Sequence, residues 1–213
     1  MPIRVSLRVS NKVSPFREML HRLITVQNGG EVVLCSGYIW QPCLSAPCRK
    51  YDVLSDDLLS VLLKANPARV ITVAGKFSNP FWKKYYYNFV MALKAFFNVD
   101  AYVAPSRNWH AKIAIRLDAM GEPIVGLVGS SNLTRPAYGI MSVNWNFEAD
   151  VLIWTPDSKR DKIFGRPYEV DNNEALLGDF HLVLDTRKDQ YSEQYQLYRL
   201  HQYVMESGLV KLK

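Results

Sequence analysis

The sequence predicts an α/β fold, a mixed β-sheet flanked by helices on both faces. Three observations lead there. Apolar, β-rich runs alternate with helical runs through the first half, the pattern of a sheet with helices packed on it. The second half is strand-rich, so the sheet is expected to be mixed. No Gly/Ser-rich or Pro-rich linker divides the 213 residues, so residues 1–213 read as a single domain with one core.

Each element has a local reason. Residues 16–25 carry Phe16, Leu20, Leu23 and Ile24 on one side of a helix, and Gly29-Gly30 ends it. Residues 31–39 (EVVLCSGYI) are β-rich and apolar, which predicts a buried strand. Residues 52–65 place Leu54, Leu58, Val61, Leu62 and Ala65 at helical spacing, and Pro67 closes them. Residues 69–74 (RVITVA) predict a second buried strand. Asn79 is a good N-cap and Pro80 suits the first helical position, so a long helix starts there. Its apolar face holds Trp82, Tyr85, Tyr86, Phe89, Val90, Leu93, Phe96 and Phe97, and reads as core rather than as a base-stacking surface.

Residues 99–103, 112–117, 124–128 and 147–154 predict four more strands, with a turn over 118–123. Residues 155–173 are polar and turn-rich, a surface excursion. Residues 174–184 read as helical. A final helix over 192–206 draws its apolar content from Tyr195, Leu197, Tyr198, Leu200, His201 and Val204. No internal repeat is present.

The net charge of +6 favours an anionic partner, nucleic acid or an anionic lipid surface. The N-terminus lacks the apolar core of a signal peptide, and no apolar run reaches the length of a membrane span. A cytoplasmic protein with no membrane span is therefore expected. The three cysteines agree. Cys35 sits in an apolar strand as a small hydrophobe. Cys43 and Cys48 lie in a Pro-containing loop without further ligands at zinc spacing, and no metal or cofactor is expected.

The residues that carry chemistry are His110-Ala111-Lys112, then Gly129-Ser130-Ser131-Asn132, then Glu148. No Asp or Glu cluster suited to a catalytic metal accompanies them. Phosphodiester cleavage without a metal needs a nucleophile, charge on the phosphoryl oxygens, an acid for the leaving oxygen and a base for water. A neutral imidazole nitrogen of His110 can attack. Lys112 lies on the same strand face if the segment is extended, because side chains alternate. Ser130 and Asn132 share a face for the same reason and can donate to phosphate oxygens. Thr134-Arg-Pro-Ala can begin a helical turn whose free N–H groups favour an anion. Glu148 can accept the other imidazole N–H and fix its tautomer.

Ordered in this way, the motifs resemble the signature of the phospholipase D superfamily over residues 31–154. That resemblance implies a covalent phosphohistidine on His110, with Lys112, Ser130, Asn132 and Glu148 as the other catalytic residues. The family pattern has an Asp five residues after the Lys; Leu117 stands there, with Asp118 one later, so the role of Asp118 is open. The family site uses two His-x-Lys motifs and this chain has one. Single-motif members resemble nucleases that form homodimers, so the resemblance implies a site shared by two subunits across a two-fold axis.

A metal-independent phosphodiesterase follows, an endonuclease by preference, with nucleic acid as partner and DNA ahead of RNA. Lys76, Arg107, Trp109 and Arg135 surround the motifs and could track a nucleic-acid backbone. The alternatives are a phospholipase or phosphatidyl transferase, and a non-catalytic nucleic-acid-binding module of the same fold. His21, His181 and His201 have no motif around them.

Overall fold

A computed structural model describes residues 2–8, 11–12, 14–40, 52–75, 79–104, 110, 112–140, 145–164, 180–185, 193–206 and 208–212. Among these residues, nine strands form one sheet in the order β8-β1-β7-β6-β5-β2-β3-β4-β9. The strands are β1 (Pro2–Arg8), β2 (Glu31–Ser36), β3 (Arg69–Ala74), β4 (Val99–Val103), β5 (Lys112–Leu117), β6 (Pro123–Gly129), β7 (Glu148–Trp154), β8 (Phe180–Asp185) and β9 (Val210–Lys211). β2, β3 and β4 pair in parallel; every other pairing is antiparallel. The mixed sheet is as the sequence predicts.

Helices cover both faces, unequally. On one face α1 (Pro15–Thr25), α2 (Leu59–Ala65), α3 (Pro80–Lys94) and Phe164 of α5 (Ser158–Phe164) pack over Val32, Leu34, Val70, Leu127, Leu152 and Trp154. On the other, Val204 of α6 (Glu193–Glu206) packs over Val33, Cys35, Ile71, Val73, Ile113 and Ile115. Gly126 makes that docking possible, because a Cβ there would meet Leu197 Cδ2 at 2.8 Å.

The helix ends follow capping chemistry. Ser14 accepts from Arg17 N–H at 3.2 Å with Pro15 behind it, and Asn79 accepts from Phe81 N–H at 2.9 Å with Pro80 behind it. The run expected as one helix over 52–65 is divided. Leu54–Leu58 is a π-helical turn, with Asp57 at φ 70°, and α2 follows. Asn66 ends α2 in the left-handed region, where Asn is tolerated. Phe96 and Phe97 fall beyond α3, and Phe96 is exposed rather than core. In α6, Leu197 and Val204 are buried while Tyr195 and Tyr198 face solvent.

Three corrections concern the ends of the chain. β1 was not expected as a strand. Its alternation is inverted: Arg4, Ser6 and Arg8 are buried, while Ile3, Val5 and Leu7 are half-buried. Arg4 donates to Phe164 O at 3.2 Å, Ser6 Oγ to Met19 Sδ at 3.3 Å, and Arg8 to the carbonyls of Pro136, Ala137 and Gly139 at 2.7–2.9 Å. Residues 180–184, expected within a helix over 174–184, instead form β8 with Asp185 against β1, because an edge strand there pairs the free side of β1. Inside the expected surface excursion, Asp157 accepts from Lys159 and Arg160 N–H at 2.8 and 2.9 Å and caps α5. Cys35 is buried in β2 as expected, and burial pushes its thiol pKa up. Cys43 and Cys48 lie outside the described residues.

Candidate active site

The motif residues gather at one end of the sheet, beside the point where antiparallel β5 meets parallel β2. Ligands of open α/β sheets are commonly held at such a switch in strand order. Lys112 opens β5, Gly129 closes β6 and Asp150 lies near the start of β7. These three are successive Cα partners across the strands. Period-two alternation puts their side chains on the face that α1 covers, together with Glu148. His110 is exposed, two residues before Lys112. A small recess lined by Leu20, Leu34, Lys112, Ser131 and Leu133 lies here.

Ser130 and Glu148 form the polar centre. Ser130 Oγ donates to Glu148 Oε2 and accepts from Ala149 N–H at 3.0 Å. The other carboxylate oxygen accepts from Asn146 Nδ2 at 3.1 Å. These two bonds hold the carboxylate that was expected to accept from an imidazole. Glu148 is only 6% exposed, so these bonds offset the cost of burying it.

Asn132 is held from the neighbouring loop. Its Oδ1 accepts from Tyr38 N–H at 3.1 Å. With the acceptor end of the amide engaged, the Nδ2 end is the one left to donate to a phosphate oxygen. Ser36 Oγ accepts from Leu133 N–H at 3.1 Å, and Trp40 N–H donates to Leu133 O at 2.8 Å. The loop after β2 and the loop after β6 are thus one structure.

Asp150 is a member that sequence reasoning missed. It is 3% exposed and accepts from Ser131 Oγ at 2.6 Å and Ser131 N–H at 3.3 Å. The signal was there: carboxylates at 148 and 150 of one strand share a face. Burial pushes its pKa up from 3.8 to about 6, against the two bonds from Ser131; the charge of Glu148 adds to the rise and that of Lys112 opposes it. A carboxyl raised in the folded chain stabilises the fold fully below its unfolded value, and that contribution is lost as pH rises through about 6. Asp150→Asn removes the dependence. Thermal melts of the two proteins between about pH 4 and about pH 7 should therefore show the wild type losing ground to Asp150→Asn as pH rises. A constant difference across that range would contradict an ionising, buried Asp150.

Other residues have narrower roles. Asp118 Oδ1 accepts from Met120 and Glu122 N–H at 2.8 and 2.9 Å, so it organises the β5–β6 turn, with Gly121 at φ 83°. A register shift between Arg116 and Leu117 accommodates the long hairpin. Arg135 is exposed at the start of α4 (Arg135–Tyr138). The helical turn expected there is real, but four residues align too few peptide dipoles to hold an anion by themselves. Lys76, Arg107 and Trp109 lie outside the described residues.

Among solved structures, the phosphatidylserine synthase of Haemophilus influenzae Rd KW20 superposes with a TM-score of 0.50 at 14% identity. The match covers 95% of this chain and 45% of that one. The chain has the phospholipase D fold. Weaker superpositions include a variant of yeast tyrosyl-DNA phosphodiesterase (TM-score 0.47, 12% identity, 74% of this chain and 48% of that one). Another is the polyphosphate kinase of Porphyromonas gingivalis (TM-score 0.42, 11% identity, 76% and 24%). The chain spans about half the length of the first two. No family model and no curated protein matches its sequence. Within the phospholipase D fold, the motif residues stand where β5, β6 and β7 end together. Among the described residues, no helix is long and apolar enough to cross a membrane.

Proposed function

We propose that the chain is a phosphodiesterase that cleaves nucleic acid, as an endonuclease, through a phosphohistidine on His110. One observation carries the reading: Lys112, Ser130, Asn132 and Glu148 converge at three adjacent strand ends next to His110. Convergence of a cation, two donors and a carboxylate beside an imidazole is what in-line attack on phosphorus requires.

Lys112 neutralises the phosphoryl oxygens as negative charge redistributes, and Asn132 donates to one of them. Ser130 is bound to Glu148, which fixes its hydroxyl at the edge of the site. An imidazole nitrogen of His110 attacks phosphorus, the N–P bond forms and the P–O bond to the leaving strand breaks. A second imidazole, protonated, gives its proton to that oxygen. Now neutral, it takes a proton from water, whose oxygen attacks phosphorus; the N–P bond breaks and His110 is restored. The chain has one His-x-Lys motif, so the second imidazole is assigned to His110 of a second copy in a homodimer. The alignment with about half of a longer phospholipase D fold supports that assignment.

The test is incubation of labelled single- and double-stranded DNA and RNA with the protein in EDTA, beside the His110→Ala variant. Cleavage that survives chelation and is lost in the variant is the expected result. Cleavage retained in His110→Ala, or cleavage that needs added metal, would overturn the mechanism. Failure to cut any polymer, with release of headgroup from phospholipid vesicles instead, would move the activity to lipid.

A further inference from the structure

Aromatic side chains gather beside the site, and the phosphodiesterase chemistry gives them no role. Tyr38 and Trp40 follow β2, and their backbone N–H groups hold Asn132 and Leu133. Their rings meet the first turn of α3. Tyr38 lies 4.5 Å from Trp82, centroid to centroid, and Trp40 stacks at 5.9 Å and 26° on Tyr85. Phe81 stands edge-on to both Trp82 and Tyr85, at 5.2 and 4.3 Å.

Burial divides the rings into a floor and an upper layer. Tyr85 is buried with the core residues Tyr86, Phe89, Val90 and Leu93. Tyr38, Trp40 and Trp82 are half-buried, and Phe81 is 51% exposed. Sequence reasoning gave Trp82 to the core along with the rest of the helix. The structure leaves it half-buried, outside the buried set of α3. A single exposed Phe needs no explanation, but a contiguous set of rings fixed to the catalytic loop does.

Charge indicates what the rings take. Lys83 and Lys84 follow Trp82 on the same turn, and both are exposed. The Lys83 ammonium lies 5.9 Å over the Tyr87 ring, on the helix side away from Trp82 and Tyr85, so Lys84, three residues after Phe81, is the cation beside the rings. Flat rings with a cation beside them complement a strand that offers bases and phosphates in alternation. Bases can lie on such rings only when they are out of a duplex, because paired bases are already stacked. Aromatic rings also settle at lipid interfaces, so vesicles are one arm of the test.

We propose that Tyr38, Trp40, Phe81 and Trp82 form a stacking platform for unpaired nucleobases next to the phosphate held by Asn132, so that the substrate class is single-stranded nucleic acid. The proposal rests on the nuclease reading of the site.

Binding tests the platform and cleavage tests that reading. The probes are fluorescein-labelled oligothymidylate, an abasic strand of the same backbone and a duplex, each titrated against the full-length protein in EDTA with His110→Ala present to prevent cutting. Hydrolysis of bis(para-nitrophenyl) phosphate by the protein with intact His110 is measured separately. Tighter binding of oligothymidylate than of the abasic strand and duplex is expected. Phe81→Ala should weaken it on the order of ten-fold, with Phe81→Tyr restoring it and the small diester still hydrolysed. Phe81 is half exposed, so its truncation leaves the core intact. Equal binding of base-bearing and abasic strands, or no effect of Phe81→Ala, would overturn the platform even if cleavage persists. Capture by anionic phospholipid vesicles, lost in Phe81→Ala, would give the rings to a membrane and also overturn it. Loss of all hydrolysis with base-dependent binding intact would instead remove the nuclease reading and leave a base-binding surface.

Discussion

In mixtures of wild-type chain with His110→Ala chain, cleavage is expected to fall with the square of the wild-type fraction rather than in proportion to it. The variant alone should be slower on the order of a thousandfold or more, because it removes the nitrogen proposed to bond to phosphorus. Mixing then asks where the second imidazole comes from. If one site needs His110 from both subunits, a mixed dimer is dead whichever copy is altered. An equal mixture, allowed to exchange subunits, retains about a quarter of the activity; a chain that works alone retains about half. The measurement is initial rate against composition at constant total protein, after exchange is complete. A straight line through the wild-type point would remove the shared site, and with it the assignment of the leaving-group acid. Lys112→Ala mixed with His110→Ala adds a check, since neither partner can supply an intact pair of motifs.

The second large effect is expected from Gly129→Ala, one methyl group at the middle of the row formed by Lys112, Gly129 and Asp150. A Cβ at 129 would run into the Asp150 carboxyl and would stand 2.7 Å from Ala149 O. The second obstacle is backbone, which cannot swing aside. At Gly126 the obstacle is the tip of Leu197, which can. Overpacking of this kind costs about 1–3 kcal/mol. Ser130 and Asn132, one and three residues on, should move with the strand end. Urea denaturation of Gly129→Ala should show the stability loss, and cleavage should fall further than stability does. Wild-type activity in Gly129→Ala would mean that the Asp150 carboxyl has another place to go and does not order the site.

How far the sequence discloses this arrangement depends on which physical rule governs each piece. Where burial follows apolar periodicity, it reads directly: β3 and α1 stand within a residue of the predicted bounds, and β2 and α3 start where predicted but end sooner. Strand alternation puts Lys112 and Glu148 on one face, whereas Ser130 and Asn132 lie past the end of β6 and are held by Glu148 and by Tyr38 N–H. Where polar groups are buried by design, the rule inverts. β1 hides Arg4, Ser6 and Arg8 and shows its aliphatic side chains more, so nothing in its pattern announces a strand with a helix-covered face. The partners that make those side chains tolerable, such as Pro136, Ala137 and Gly139 for Arg8, lie far away in sequence. Asp150 was hidden by its neighbours: FEADVLIW reads as a strand whichever face the acids take. The aromatics of α3 were legible as a stripe, but not which of them stay partly exposed.

The inverted strand also has a consequence for the order in which the chain becomes competent. β1 is synthesised well before either of its pairing partners: Arg8 waits for Glu148, and Ile3 for Ile153 and Leu184. Closing so long a loop carries an entropic cost that no local contact repays in advance, and such distant pairings slow folding. Until β7 arrives, the buried arginines of β1 have no enclosure, and Ser130 lacks the carboxylate that anchors it. A partly made chain can therefore shape its parallel strands and helices, yet has no assembled candidate site. Translation itself keeps the candidate site unassembled until Trp154 has been made.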